Sequence, residues 1–142
     1  MGVIQCNRVK KKRGKVIEKF IAHKGSKLTI EWYFNKQGKS AAFEYFKKLS
    51  LSQKKKFIRR LFVLGDMGRM FNKEKFRYEG DQIYAIKTSP NRFLSFFFEG
   101  SKIIITNAYE KKSAKMPKRE KEKALNAKKD YKKRYDEGIY YE

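Results

Sequence analysis

The chain has 142 residues, 40% of them apolar with 12 Phe and 9 Tyr, which suits one cored domain and excludes global disorder. Its formal net charge of +22 points to a polyanionic partner, nucleic acid first, and no stretch nears the roughly 20 apolar residues that span a bilayer. A single Cys6 excludes an internal disulfide framework and a cysteine metal cluster, and the basic N-terminus has no apolar stretch of a secretory signal behind it, so the expectation is a cytoplasmic protein.

The charge is clustered. Residues 1–27 hold nine Lys/Arg against one acid, and residues 110–135 hold twelve against four. Residues 1–14 read as an arm ending in a basic knot and a glycine, and "KVIEKFIA" (15–22) fits either a short helix face or a strand. "HKGSK" reads as a turn and "LTIEWYF" (28–34), rich in β-branched and aromatic residues, as a strand. Ser40 is placed to cap a helix over 40–49, with Ala42, Phe43, Phe46 and Leu49 on one face. Ser52 is placed to cap a second over 53–65, whose apolar stripe runs through Phe57, Ile58, Leu61, Phe62 and Leu64 before the stop signals Gly65 and Gly68. The short link makes these an antiparallel hairpin. Phe43, Phe46, Phe57, Leu61 and Phe62 are expected to bury against Tyr84, Ile86 and Ile103.

The period then changes to two. "KFRYEG" (75–80), "QIYAIKTS" (82–89), "RFLSFFFEG" (92–100) and "KIIITNAY" (102–109) are successive strands, with "SPN" and "EGS" as hairpin turns between the last three. Pro117 suits the first position of a helix that carries Ala124, Leu125, Lys128, Tyr131 and Tyr135 along one side. The expected fold is α+β: an antiparallel twisted sheet, a helical hairpin on one face and a basic C-terminal helix. The expected division is a basic N-terminal extension (1–27), one domain (28–135) and a short tail (136–142).

The sequence holds no internal repeat, no G-x-G-x-x-G, no Walker loop and no zinc spacing. The only histidine, His23, lies far from the meander, and the acids are scattered without a metal pattern, so neither a metal nor a cofactor is expected. Phosphate chemistry would then rest on Lys, Arg, Tyr or a carboxylate. Alternation puts Lys87 on a face with Ile83 and Ala85, and Arg92 on a face with Leu94, Phe96 and Phe98. Lys87 and Arg92 flank one tight turn, and the next strand ends in Tyr109, Lys111 and Lys112. By spacing alone these are either solvated strand ends or one cationic groove.

The elements "YAIK", "NRFLSFFF", "NAYEKK" and "MPKRE" resemble the C-terminal half of the HigB-like, phage-derived toxins of the RelE/ParE superfamily. Their pattern is a strand ending Glu-Leu-Arg, a strand beginning Tyr-Arg, an apolar strand ending Phe-x-Lys-Lys, and a Pro-Lys/Arg-Glu helix start. "EWYFNKQGKSAAFEYFKKLS" and "FIRRLFVLGDMG" resemble their first strand and two helices, so the likeness covers roughly residues 28–135. It implies a RelE-like fold and a ribosome-dependent, metal-independent endoribonuclease that cleaves mRNA and so inhibits translation. By that likeness the catalytic set is Arg92, Lys87, Lys111 and Lys112, with Lys87 standing where the pattern has Arg and Asn91 where it has Tyr. Lys115, Lys118 and Arg119 would hold RNA, and Tyr109 either stacks a base or lies in the core. The implied partners are a HigA-like helix-turn-helix antitoxin, the ribosome and mRNA, with operator DNA reached only through the antitoxin and no membrane. The alternative is a non-catalytic member that inhibits by contact, as the ParE branch does with gyrase.

Overall fold

The computed structural model describes residues 18–68, 72 and 74–142; the arm 1–14 and Cys6 lie outside them. Six strands form one sheet: β1 (Ile21–Lys24), β2 (Thr29–Trp32), β3 (Phe76–Tyr78), β4 (Tyr84–Thr88), β5 (Asn91–Phe98) and β6 (Lys102–Glu110), in the order β1-β2-β6-β5-β4-β3. The β3–β6 meander is antiparallel, but β2 runs parallel to β6, so the sheet is mixed rather than antiparallel throughout. The last strand of the meander returns beside the short β2 in the same direction. This makes β6 a central strand, which explains why Ile103, Ile104 and Ile105 are all fully buried: both of its faces are covered.

One face carries the helical hairpin, α1 (Ala41–Lys47) and α2 (Leu51–Met67). Ser40 caps α1, its hydroxyl accepting from the Phe43 amide at 3.2 Å. The cap of α2 is Ser50, which accepts from the Gln53 amide at 3.2 Å, rather than Ser52; the helix starts two residues earlier than its apolar stripe suggests. Trp32 sits at the centre of this layer, 5.4 Å from Phe43 and 5.5 Å from Phe46, and Phe57 stacks on Phe93 at 3.9 Å. Phe57, Leu61 and Leu64 are fully buried, while Phe62 is 53% exposed and is no core residue. The reason is angular: one residue past Leu61 is about 100° further around the helix, off the buried stripe. Tyr84 joins a separate cluster, stacked on Phe76 at 5.0 Å and edge-on to Phe97 at 5.1 Å.

Gly65 does not end α2; Gly68, with φ 64°, does. Gly65 is instead where the β1–β2 turn lies on the helix. Its carbonyl accepts from the amides of Lys27 and Leu28, both at 2.9 Å, and a Cβ at Gly25 would stand 2.5 Å from that same carbonyl group.

The opposite face carries α3 (Lys118–Asp136), with Pro117 at its N-cap. Ala124, Ala127, Tyr131 and Arg134 face the sheet, and Tyr131 meets Phe96 and Phe98 edge-on. Both stretches set off as ends on sequence contribute here. Ile21–Lys24 form the edge strand, and Tyr140, 3% exposed, packs on Phe20 while its hydroxyl accepts from the Phe34 amide. Tyr141 donates to the buried Glu31 carboxylate at 2.6 Å, and Lys102 pairs with that carboxylate at 3.4 Å. No helix among the described residues is long and apolar enough to cross a membrane.

Candidate functional site

The sheet face that carries α3 is left open at one end, beyond the N-terminus of that helix. Cross-strand pairs decide what gathers there, because opposed residues project to the same side. Arg77 of β3 is opposite Ala85 of β4, Lys87 of β4 is opposite Arg92 of β5, and Arg92 is opposite Tyr109 of β6. Ala85 leaves a low floor between these longer side chains.

Tyr109 reaches this face through an irregularity. Leu94 pairs with Asn107 but Ser95 pairs with Ile105, so Thr106 is an extra residue in β6. Such a bulge shifts the alternation by one and re-aims the side chains beyond it. Ile103 and Ile105 face the helical hairpin; without the bulge Tyr109 would follow them. With it, Tyr109 stands beside Arg92. The bulge is held by the Thr106 hydroxyl, which donates to the Leu94 carbonyl at 3.1 Å and lies 2.7 Å from Asn107 Oδ1.

The resulting cleft is lined by Arg77, Glu79, Lys87, Arg92, Tyr109 and Lys111, with Ser113, Lys115 and Met116 of the β6–α3 loop as one wall. It encloses about 30 Å³, far below the roughly 300–1,000 Å³ of pockets that swallow small molecules. A hollow that small is a surface cleft, not a pocket that encloses a ligand. Three wider hollows, of about 470, 400 and 480 Å³, lie elsewhere and are lined by neither Lys87 nor Arg92.

The cleft's frame is pinned from behind. Arg60 of α2 donates to the Lys87 carbonyl, and Tyr45 of α1 donates to Asn91 Oδ1 at 2.6 Å. The β4–β5 turn, with a cis Ser89–Pro90 bond, accepts the Lys111 amide on the Pro90 carbonyl at 2.8 Å. The far end of the loop is tied down by Asn107, which donates to the Glu120 carbonyl and carboxylate, both at 3.1 Å. Lys121 of α3 reaches Asp81 of the β3–β4 turn at 2.8 Å.

Electrostatically the cleft is cationic with one carboxylate. Burial lowers the Lys87 pKa, and the neighbouring charges of Arg92, Lys111 and Arg77 push it the same way. Burial raises the Tyr109 phenol, with the Glu79 charge adding to it. Arg77 Nε lies 3.5 Å from Glu79 Oε1, and the Glu79 side chain is 18% exposed. Among the described residues no group of three or more His, Cys, Asp or Glu is placed to hold a metal ion.

Of the residues singled out on sequence, Lys87, Arg92, Tyr109, Lys111 and Lys115 line this one cleft. Lys112, Lys118 and Arg119 are exposed beside it and not in its lining. Arg77 and Glu79 were missed. Alternation in "KFRYEG" already placed both on one face, but only the pairing of β3 with β4 brings that face to the cleft. His23 is elsewhere, 4.1 Å from the Phe62 ring on the hairpin side.

A family model described as "Phage derived protein Gp49-like" matches residues 44–129, from α1 to within α3, and so covers every strand of the cleft. No curated protein shows significant similarity to the chain.

Proposed function

We propose, on the premise that this chain belongs to the Phage derived protein Gp49-like family, a toxin-like family, that it is a HigB-kind toxin of the RelE/ParE superfamily. In this reading it is half of a type II toxin–antitoxin pair and cuts translated mRNA on the ribosome without a metal ion. The observation that carries the reading is the cleft: Arg77, Lys87, Arg92 and Lys111 share one lining with Tyr109 and one carboxylate, Glu79.

The reaction those groups suit is transfer of a phosphodiester onto its own 2′-oxygen. Glu79 takes the proton as the 2′-hydroxyl attacks the adjacent phosphorus. The P–O5′ bond breaks, leaving a 2′,3′-cyclic phosphate and a 5′-oxygen that needs a proton. Lys87, whose ammonium is made more acidic by burial and neighbouring cations, supplies it. Arg92 and Arg77 hold the charge that builds on the phosphoryl oxygens, where a guanidinium presents two donors at once. Tyr109 offers a ring for a base to stack on, and the exposed Lys112, Lys118 and Arg119 extend the positive rim toward ribosomal RNA and mRNA. A helix-turn-helix antitoxin is the partner this reading implies.

The test is mRNA incubated with purified ribosomes and the folded protein. Cleavage with cyclic-phosphate ends, and immediate translation arrest when the protein is induced, are the expected results. Intact mRNA with a well-folded protein would remove the enzyme reading. DNA-damage signalling with translation continuing would move the protein to the ParE-like, contact-inhibiting alternative.

A further inference from the structure

The outward side of α2 carries a groove that neither the core nor the cleft uses. Leu51, Ile58 and Phe62 line it, spaced along one side of the helix, together with Lys54, Lys55 and Arg59. Leu51 is 69% exposed and Phe62 53% exposed, although a solvent-facing helix position ordinarily carries a polar side chain. The groove has a volume of about 480 Å³. None of its three cations forms an ion pair among the described residues. The only acid on α2 is Asp66, at its far end, where it accepts from both the amide and the hydroxyl of Ser26.

We infer that this face docks an acidic, amphipathic helical segment of a different protein. An apolar stripe flanked by cations that no carboxylate pairs is complemented by apolar anchors flanked by carboxylates, the pattern of helix-in-groove recognition. Residues 1–17 of this chain do not match, since they hold six Lys/Arg and no acid. A second copy does not match either, since each brings a net charge of +22. The site is independent of the cleavage reading. α2 packs on the sheet face of Phe93, whereas the cleft opens on the face of Arg92, so a segment docked here leaves the cleft accessible.

The probe is a synthetic, fluorescently labelled helix with Leu and Phe at helical spacing and Glu on both flanks. Its binding to the full chain is followed by anisotropy. A scrambled peptide of the same composition is the control, because a protein this basic attracts any acidic peptide. The patterned peptide should bind at least about tenfold more tightly than the scramble, and Leu51→Asp and Phe62→Asp should each remove that advantage, as expected of interface anchors. A short RNA oligonucleotide, which would displace a peptide from the cleft, should leave it bound. Thermal melts should barely move for Leu51→Asp, which keeps the test valid if Phe62→Asp disturbs the contact with His23. Equal binding of the two peptides, or tight binding unchanged in Leu51→Asp, would overturn the proposal. So would self-association or binding to anionic lipid vesicles that Leu51→Asp abolishes while the peptide shows no preference.

Discussion

At the scale of single residues, Arg92 stands at the centre of the cleft, between Lys87 and Tyr109 across the two ladders. Removing one donor aimed at developing charge typically slows chemistry by about 10²–10³. Arg92→Ala should therefore lower mRNA cleavage on ribosomes by that factor while the melt is unchanged and ribosome pelleting is nearly so. Arg92→Lys should recover only part of the rate, since an ammonium lacks the planar fork. Glu79→Gln tests the proton acceptor separately. The rate should fall by about 10²–10⁴ while the melt stays unchanged. Cleavage at the full rate by a well-folded Glu79→Gln variant would assign the base elsewhere.

At the scale of elements, α2 does two jobs through two sides. Its inner side buries Phe57, Leu61 and Leu64, and Phe57→Ala should cost about 3–5 kcal/mol, as large-to-small core changes do. Phe62→Ala should cost far less, and equal losses for the two in urea melts would contradict this assignment of sides. The helix also meets the β1–β2 turn backbone to backbone at Gly65. A methyl at Gly25 would stand 2.5 Å from that carbonyl, with only backbone to give way. Gly25→Ala should thus destabilise by about 1–3 kcal/mol, the usual range for overpacking. An unshifted denaturation midpoint would show that the turn separates from the helix without cost.

At the scale of the whole molecule, the sheet is closed on one side by the hairpin and on the other by α3 and a tyrosine cluster. The pKa of Tyr33 is pushed up to about 12 by burial and by its hydrogen bond to Asp130, and burial also raises Tyr131, Tyr140 and Tyr141. Folded values above the unfolded value of 10 mean a contribution to stability that is complete below pH 10 and is lost as pH rises through the folded values. The denaturation midpoint should hold up to about pH 10 and fall steeply toward pH 12, with tyrosinate absorbance rising at the same point. The charge of +22 acts at this scale too. If the protein closes on six or more phosphates, RNA affinity should fall by roughly 10³ between about 50 and about 200 mM salt, and a flat response would remove nucleic acid as the partner.

Much of this was legible in the sequence because it depends on near neighbours. The apolar period of α2, the alternation in β4 and β5, and the tight turn that sets Lys87 against Arg92 are all local patterns, so those elements and the core of the cationic pair followed from order alone. Three matters did not. The parallel pairing of β2 with β6 joins segments about seventy residues apart and leaves no local mark. The bulge at Thr106 is invisible in "KIIITNAYE", where strict alternation puts Tyr109 on the wrong face; only the ladder to β5 aims it at Arg92. Arg77 and Glu79 were readable as a pair on one face, yet which cavity that face meets depends on where β3 docks. Side-chain period and turn chemistry are properties of a segment, while register and sheet order are settled by which faces bury together. That is why the charge and the elements belong to the sequence itself, and the company that Arg92 keeps belongs to the fold.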